Sequence, residues 1–478
     1  MSDEALVGLD VGTTGVKALA ISESGDLIAS AEETYPLSTP RPGWAEQDPD
    51  DWWKASQRAL ERLGVGPRAI GLSGQMHGLV CLDARDRVLR PAILWNDQRT
   101  GAECAEIERI LGLEHLIELS ANRALPGFTA PKLLWLRRNE PETYARIASI
   151  CLPKDYVRLK FTGEHATDVA DASGTLLFDV AARRWSGELC AALEVPEAWL
   201  ARVLESHEVS GQTPEGVPVA AGAGDQAAAA LGVGIVRPGP LSVVLGTSGV
   251  VFAALPHFTC DPQARLHVFC HAIPESWHAM GVMLSAAGSL RWLRDLVGGS
   301  YEELLGEAEN WPAGTDGLAF APYLIGERTP HVDPDVRGAF VGLELRHNRG
   351  ALTRAVLEGV AFGLRDSLEL LGTLGVEPTV ARVSGGGAQS PIWLRIVASA
   401  LGLSLERTAL EEGSAYGAAL LAGIAAGVFS DAEEAVGRCV EIRERIEPEP
   451  AWRERYEELY ARFRALYPAL RSLTETTS

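Results

Sequence analysis

Leu6-Val7-Gly8-Leu9-Asp10-Val11-Gly12-Thr13-Thr14-Gly15-Val16-Lys17-Ala18-Leu19 reads as strand, Gly/Thr turn, strand. The apolar runs on both sides have strand character, and the short Gly-bearing turn between them is a hairpin signal. The pattern returns in the second half as Leu241-Ser242-Val243-Val244-Leu245-Gly246-Thr247-Ser248-Gly249-Val250-Val251-Phe252. A turn of this kind presents backbone N–H groups and hydroxyls at its tip, a means of holding phosphate oxygens. Two copies, one opening each half, predict two related domains facing each other across a phosphate ligand.

Working outward, the first 35 residues read as a three-strand meander, Leu6–Val11, Val16–Ser22 and Leu27–Thr34. Asp48-Pro49 is a helix start, with Asp as cap and Pro at the first position, and predicts a helix to about Leu63. Strand-like segments follow at Ala69–Ser73, Leu79–Leu82 and Ala92–Trp95, so a mixed α/β sheet is expected. From about Asp97 to Gly211 the chain turns helical and charged, as a cap inserted on the first domain would be. Pro218–Gly224 reads as a buried strand and Gln226–Leu231 as a small-residue helix. Arg237-Pro238-Gly239-Pro240 is the linker candidate, because its prolines end any helix.

In the second half Leu352, Val356, Val360, Leu364, Leu368 and Leu371 recur near 3.6 and predict an amphipathic helix. A strand at Val380–Val383, a triple-glycine turn and a helix at Pro391–Leu401 follow. Trp452–Leu466 is expected to be a last amphipathic helix before a disordered Ser/Thr tail.

With 478 residues the chain exceeds a single core and fits two or three domains. Its 64 acidic against 43 basic residues give a net charge of -21. That argues against nucleic-acid or anionic-membrane partners, which need a positive field. An anionic substrate must then be met by local dipoles, a few cations or a metal ion. The segment before the first strand has no signal core, and the apolar stretch Gly413–Phe429 is too short and small-residued to span a bilayer. Seven scattered cysteines without a C-x-x-C pair read as free thiols of a reducing cytoplasm.

Chemistry is expected at few places. No Walker loop is present, and no G-x-G-x-x-G follows a strand. Asp10, two residues before the first turn, can hold Mg²⁺ against phosphate oxygens, or simply bond local N–H groups. Asp225, in Gly222-Ala223-Gly224-Asp225-Gln226, falls where a strand passes into a helix. It reads as a helix cap or as a general base on a hydroxyl at the strand end where ligands collect. His77, in Ser73-Gly74-Gln75-Met76-His77-Gly78, can bond a polyol or fill a core site. Ser384-Gly385-Gly386-Gly387-Ala388 allows close backbone approach to a ligand. His267, Cys270, His271 and His278 resemble a metal cluster. On a strand through Leu266–Ile273, however, His267 and His271 stand about 13 Å apart, whereas zinc ligands converge within about 4 Å.

Taken together these segments resemble the FGGY carbohydrate kinases, and among them those acting on D-xylulose. The strings that carry the resemblance are Gly74 to Gly78, Leu89 to Arg99 (LRPAILWNDQR), Pro126 to Lys132 (PGFTAPK), Asp168 to Asp179 (DVADASGTLLFD) and Gly326 to His331 (GERTPH). The resemblance implies an α/β protein of two ribonuclease-H-like domains, the actin-like ATPase arrangement, with a ligand cleft between them. Residues 1–236 would bind sugar and carry the catalytic base; residues 237–478 would bind the adenine nucleotide.

The implied reaction is ATP-dependent phosphorylation of D-xylulose at its 5-hydroxyl, in xylose catabolism. By position, Asp225 matches the family's base, and Met76 and His77 its sugar pair. Asp10 matches the carboxylate associated with Mg²⁺, and Thr13, Thr14, Lys17 and Thr247 the phosphate-side residues. Gly386 and Gly387 match the adenosine side. Gln226 stands where many D-xylulose kinases have Asn and glycerol kinases Gln, which keeps ribulose and glycerol open as substrates. The expected partners are a sugar and ATP in the cytoplasm, with no nucleic acid and no membrane, and relatives suggest a homodimer. A non-catalytic actin-like module is the rival, and the carboxylates at both Asp10 and Asp225 count against it. Aligning the two turns puts Val244 in the place of Asp10 and Val251 in that of Lys17, so both charges belong to the first copy only.

Overall fold

The computed structural model describes residues 5–410 and 413–474. The predicted meander is present as β1 (Ala5–Val11), β2 (Gly15–Ile21) and β3 (Leu27–Thr34), each antiparallel to the next. Asp48 caps the helix Pro49–Leu63 by accepting from the Asp50 N–H, and Gly64 ends it in the left-handed conformation. Trp52, Ala55, Ala59 and Leu63 turn inward and pack with Val7, Leu9 and Val16 of the sheet.

The chain then returns as β4 (Pro67–Gly74), parallel to β1. After a largely helical insertion, β5 (Val209–Gln212), β6 (Pro218–Ala220) and β7 (Ala223–Gly224) complete the sheet. The strand order is β5-β6-β4-β1-β2-β3, with β7 also on β4.

The second half repeats this plan. Its strands are β8 (Pro240–Leu245), β9 (Gly249–Ala254), β10 (His267–Cys270), β11 (Trp277–Met283), β12 (Val380–Ser384), β13 (Leu405–Thr408) and β14 (Ile442–Ile446). They run in the order β10-β11-β9-β8-β12-β13-β14. Again an antiparallel hairpin, β8–β9, gains a parallel neighbour, β12, beside its first strand. The hairpins differ by one residue in the turn. Val11 pairs with Val16 in the first, whereas Leu245 pairs with Gly249 in the second. Val244 therefore faces Val250 rather than Val251, and the second copy has no cross-strand counterpart of the Asp10–Lys17 pair.

The stretch Gly413–Ala425 is a helix, and it packs not on its own sheet but against β1, β4 and the helix Asp225–Gly232. Small residues make that approach possible. A Cβ on Gly8 would lie 1.9 Å from the Ala415 carbonyl oxygen, and one on Gly71 1.8 Å from that of Ala418. The two halves are thus joined through backbone contact. Among the described residues no helix is long and apolar enough to cross a membrane.

Two expectations are corrected. The helix Arg349–Thr373 has the predicted apolar ridge but is buried on nearly every side, because helices and the second sheet flank it all round. It includes Arg354, paired to Glu358 at 2.7 Å. At the C-terminus, helix Pro450–Arg464 is followed by a second helix, Leu466–Thr474, where a disordered tail was expected. Leu466, Tyr467 and Leu470 pack on Tyr323 and Val336, and the Tyr467 hydroxyl donates to Asp333 at 2.9 Å, which holds that helix down. The rest of the tail lies outside the described residues.

Candidate active site

Asp10 stands near the C-terminal end of β1, between Lys17 on β2 and Ser73 on β4, and Ala223 of β7 lies beyond Ser73. This row brings Asp225, two residues past Ala223, to the same end of the sheet, where ligands of open α/β sheets gather. One carboxylate oxygen of Asp10 is buried without a hydrogen-bond partner. Burial pushes Asp10 up to about 6, against the lowering influence of the Ser73 hydroxyl and the Lys17 ammonium. Asp225 is pushed up to about 7, first by burial and then by the charge of Asp10, while the Gln226 N–H and side chain oppose the rise.

Asp225 is not the helix cap. Gly224 occupies that position, and no side chain caps the Asp225–Gly232 helix. The carboxylate is therefore left to the cleft, near a second carboxylate whose charge resists its ionisation. A pair in this state can accept one proton near neutrality and attract a cation.

Met76 and His77 come next along the floor of the site. A Cβ on Gly224 would meet Met76 Cγ at 2.7 Å, so glycine there lets Met76 lie beside Asp225. His77 has left-handed backbone, with φ of 68°. Its Nδ1 lies 2.6 Å from the Gly174 carbonyl; only a protonated Nδ1 can donate there, which leaves Nε2 as an acceptor. Burial holds the ring neutral, its pKa down to about 3.

The backbone carbonyl of His77 is gripped by Lys132 Nζ at 2.8 Å and by the Thr129 hydroxyl at 3.0 Å. Lys132 also donates to the Gly127 carbonyl at 2.6 Å, and burial brings its pKa down to about 7. Lys132 was not singled out from the sequence. Its signal was available, since it is one of only five lysines in the chain.

The turns are braced differently. At the first, Tyr35 and Gln75 donate to the Gly12 carbonyl, and Gln47 donates to that of Thr13 at 2.7 Å. Trp52 in turn donates to Gln47 at 3.0 Å. The Thr13 hydroxyl accepts from Trp95 at 2.9 Å, while Thr14 is exposed at the tip. At the second, backbone does the bracing: Ala286 donates to the Thr247 carbonyl and Ala287 to that of Gly246, both at 2.8 Å. Thr247 is likewise exposed.

The Gly385–Gly387 turn adjoins this second tip, because Ser384 pairs with Val244. Gly387 packs against Leu245 and Trp393, whereas a Cβ on Gly386 would meet nothing within 4 Å. Gly386 alone therefore faces open space.

The histidine group has other partners. β10 ends at Cys270, so His271 lies past the strand and its Nε2 contacts the Ile235 carbonyl at 2.9 Å. His267 contacts Asn122, and His278 stacks on Phe252 with centroids 4.3 Å apart. Among the described residues, the one group of three close carboxylates is Asp155, Asp168 and Asp171. Lys154 Nζ occupies its centre, at 2.6, 2.5 and 3.1 Å from the three.

Comparison with known proteins agrees across nearly the whole chain. The N-terminal domain of the FGGY family of carbohydrate kinases matches residues 5–232, and its C-terminal domain matches residues 241–426. A xylulose kinase of Escherichia coli (strain K12) is 44% identical over 88% of this chain and 90% of the relative. One of Lactococcus lactis is 38% identical over 97% of this chain and 96% of the relative. The crystal structure of a xyloylose kinase from Brucella ovis superposes with a TM-score of 0.93 at 44% identity, covering 98% of this chain and 99% of that one.

Proposed function

The chain belongs to the FGGY family of carbohydrate kinases, and from that premise we propose that it transfers the γ-phosphoryl group of ATP to the 5-hydroxyl of D-xylulose. The observation that carries the mechanism is Asp225, a cleft carboxylate that caps no helix and whose pKa is pushed up to about 7. A primary hydroxyl is a weak nucleophile, and a carboxylate with a raised pKa can take its proton as the new P–O bond forms. Met76, His77 and Gln226 hold the sugar with its 5-hydroxyl at Asp225, and His77 Nε2 accepts a hydrogen bond from a sugar hydroxyl. The tips at Thr13, Thr14 and Thr247, with Lys17, face the phosphates, and Gly386 faces the adenosine with the buried Gly387 behind it. In this reading residues 1–236 supply sugar and base, and residues 237–478 the nucleotide.

The partnerless oxygen of Asp10 fits a hard, oxygen-seeking cation. Mg²⁺ bound with ATP would supply neutralisation of charge on the phosphoryl oxygens. In a protein of net charge -21, Asp10 and Lys17 then set the local balance against the global field. The reaction belongs in the cytoplasm, with a homodimer as the expected assembly and neither nucleic acid nor membrane as partner.

An ADP-coupled assay over D-xylulose, D-ribulose, L-ribulose and glycerol tests the substrate. The highest kcat/KM is expected with D-xylulose, by roughly tenfold or more; a preference for ribulose or glycerol would overturn the assignment. The pH profile tests the base. Since the base works ionised, kcat/KM for the sugar should decline as pH falls through about 7, the value to which Asp225 is raised. A rate still level at pH 5 would contradict it.

A further inference from the structure

The segment Gly326 to His331 takes no part in the mechanism above, yet it is held as rigidly as an active-site loop. Thr329 exchanges backbone and hydroxyl bonds with Val282, both at 3.0 Å, and its hydroxyl donates to the Arg265 carbonyl at 2.8 Å. Glu327 accepts the Leu284 and Arg328 N–H groups, each at 2.8 Å. What this loop presents is the guanidinium of Arg328.

A chain of contacts connects the surroundings of Asp225 to that guanidinium. Gly224, next to Asp225, lies under Met76, and a Cβ on Gly174 would meet both Met76 Cε, at 3.0 Å, and His77 Nδ1, at 2.6 Å. The His77 ring meets Phe128 edge-on at 4.7 Å, Phe128 meets His267 at 6.0 Å, and His267 Nε2 lies 3.4 Å from an Arg328 nitrogen. His77 is thus linked to both groups, through Met76 to Gly224 beside Asp225, and through Phe128 and His267 to Arg328. The charge of Arg328 bears on His77 and His267, whereas the charge bearing on Asp225 is that of Asp10.

Arg328 makes no close ion pair among the described residues, although the charge of the adjacent Glu327 bears on it. Among the described residues no carboxylate lies within ion-pair distance of it, and 3.4 Å to an imidazole nitrogen is a long contact. The adjacent Glu327 is pushed up to about 8, chiefly by burial, against the lowering influence of the Leu284 and Arg328 N–H groups and of the Arg328 charge. Burying a cation without a partner is costly, and a substrate oxygen can serve as that partner. Guanidinium has donors only, so its complement is an acceptor.

We propose that Arg328, reaching in from the second half of the chain, binds the end of the sugar opposite the phosphorylated hydroxyl by donating to its C2 carbonyl oxygen. The inference rests on D-xylulose being the substrate. It makes Arg328 the residue that favours a ketose over the corresponding polyol, in which the acceptor-only carbonyl is replaced by a hydroxyl.

The test compares wild type, Arg328→Met and Arg328→Lys on D-xylulose and on xylitol. For Arg328→Met, KM for D-xylulose should rise roughly 10- to 100-fold, the loss of a hydrogen bond to a charged group. Its kcat and its KM for ATP should stay within about threefold of wild type, the preference for D-xylulose over xylitol should collapse, and Arg328→Lys should recover part of it. An ADP-dependent rise in melting temperature reports folding; if Arg328→Met fails that check, the same comparison in Arg328→Lys decides. A KM for D-xylulose that does not move, or equal losses on both sugars, overturns the proposal. A wild type inactive on D-xylulose but active on another sugar overturns the substrate assignment instead.

Discussion

Asp225→Asn should lower sugar phosphorylation by roughly 10³-fold while ADP binding stays within about twofold, as read by a coupled assay and by titration calorimetry. The substitution is nearly isosteric, the side chain is not the N-cap of its helix, and an Asn oxygen can still accept from the Gln226 N–H. What disappears, on the proposed assignment, is the proton acceptor. Asn also removes the carboxylate whose pKa the Asp10 charge helps to raise, so it relieves repulsion and should not unfold the site. A variant turning over sugar within tenfold of wild type would show that the proton leaves by another route, and the assignment of the base would fail.

Lys154→Met should produce the largest loss of stability of any single substitution considered. Lys154 is fully buried, and its ammonium lies among Asp155, Asp168 and Asp171. Arg158, equally buried, touches Asp155 at 3.0 Å. Burial opposes the charge on Lys154, but the three carboxylates outweigh it and hold the ammonium above its ordinary range. Burial and mutual repulsion push Asp168 and Asp171 up, while the two cations hold Asp155 down; without the lysine, Arg158 remains as the cation touching Asp155.

Removing one partner from such a group costs about 3–5 kcal/mol, on the order of 10 °C in melting temperature for a domain of this size. The variant should melt early or fail to accumulate in soluble form. Adding Asp171→Asn should restore part of the loss by rebalancing charge. A melting temperature within about 2 °C of wild type for the single variant would contradict this account. The group also borders the site, since Asp168 caps the short helix Val169–Ala172, which leads to Gly174, the partner of His77.

Much of this molecule was legible locally. The meander, the Asp48-Pro49 helix start, the Gln226–Leu231 helix and the helix beginning at Pro391 depend on turn glycines, caps and periodicity, which are properties of neighbouring residues. Asp10 and Asp225 were also legible, because each stands at a strand end. Whether Asp225 capped its helix was not, since that depends on where the first helical residue falls, a matter of one position.

The sequence by itself determined two hairpins, two charges confined to the first of them, and a chain of strands and helices that reads as one plan used twice. Only the tertiary structure decided the one-residue difference between the turns, which follows from strand pairing over the whole sheet. It alone returned the Gly413–Ala425 helix to the first sheet, because the match of Gly8 and Gly71 to the carbonyls of Ala415 and Ala418 exists only when segments far apart in sequence meet. It alone brought Arg328 to His267, whose ring adjoins Phe128 and, through it, His77. Periodicity and capping act over a few residues, whereas the burial of a charge and the identity of its partner are fixed by everything packed around it.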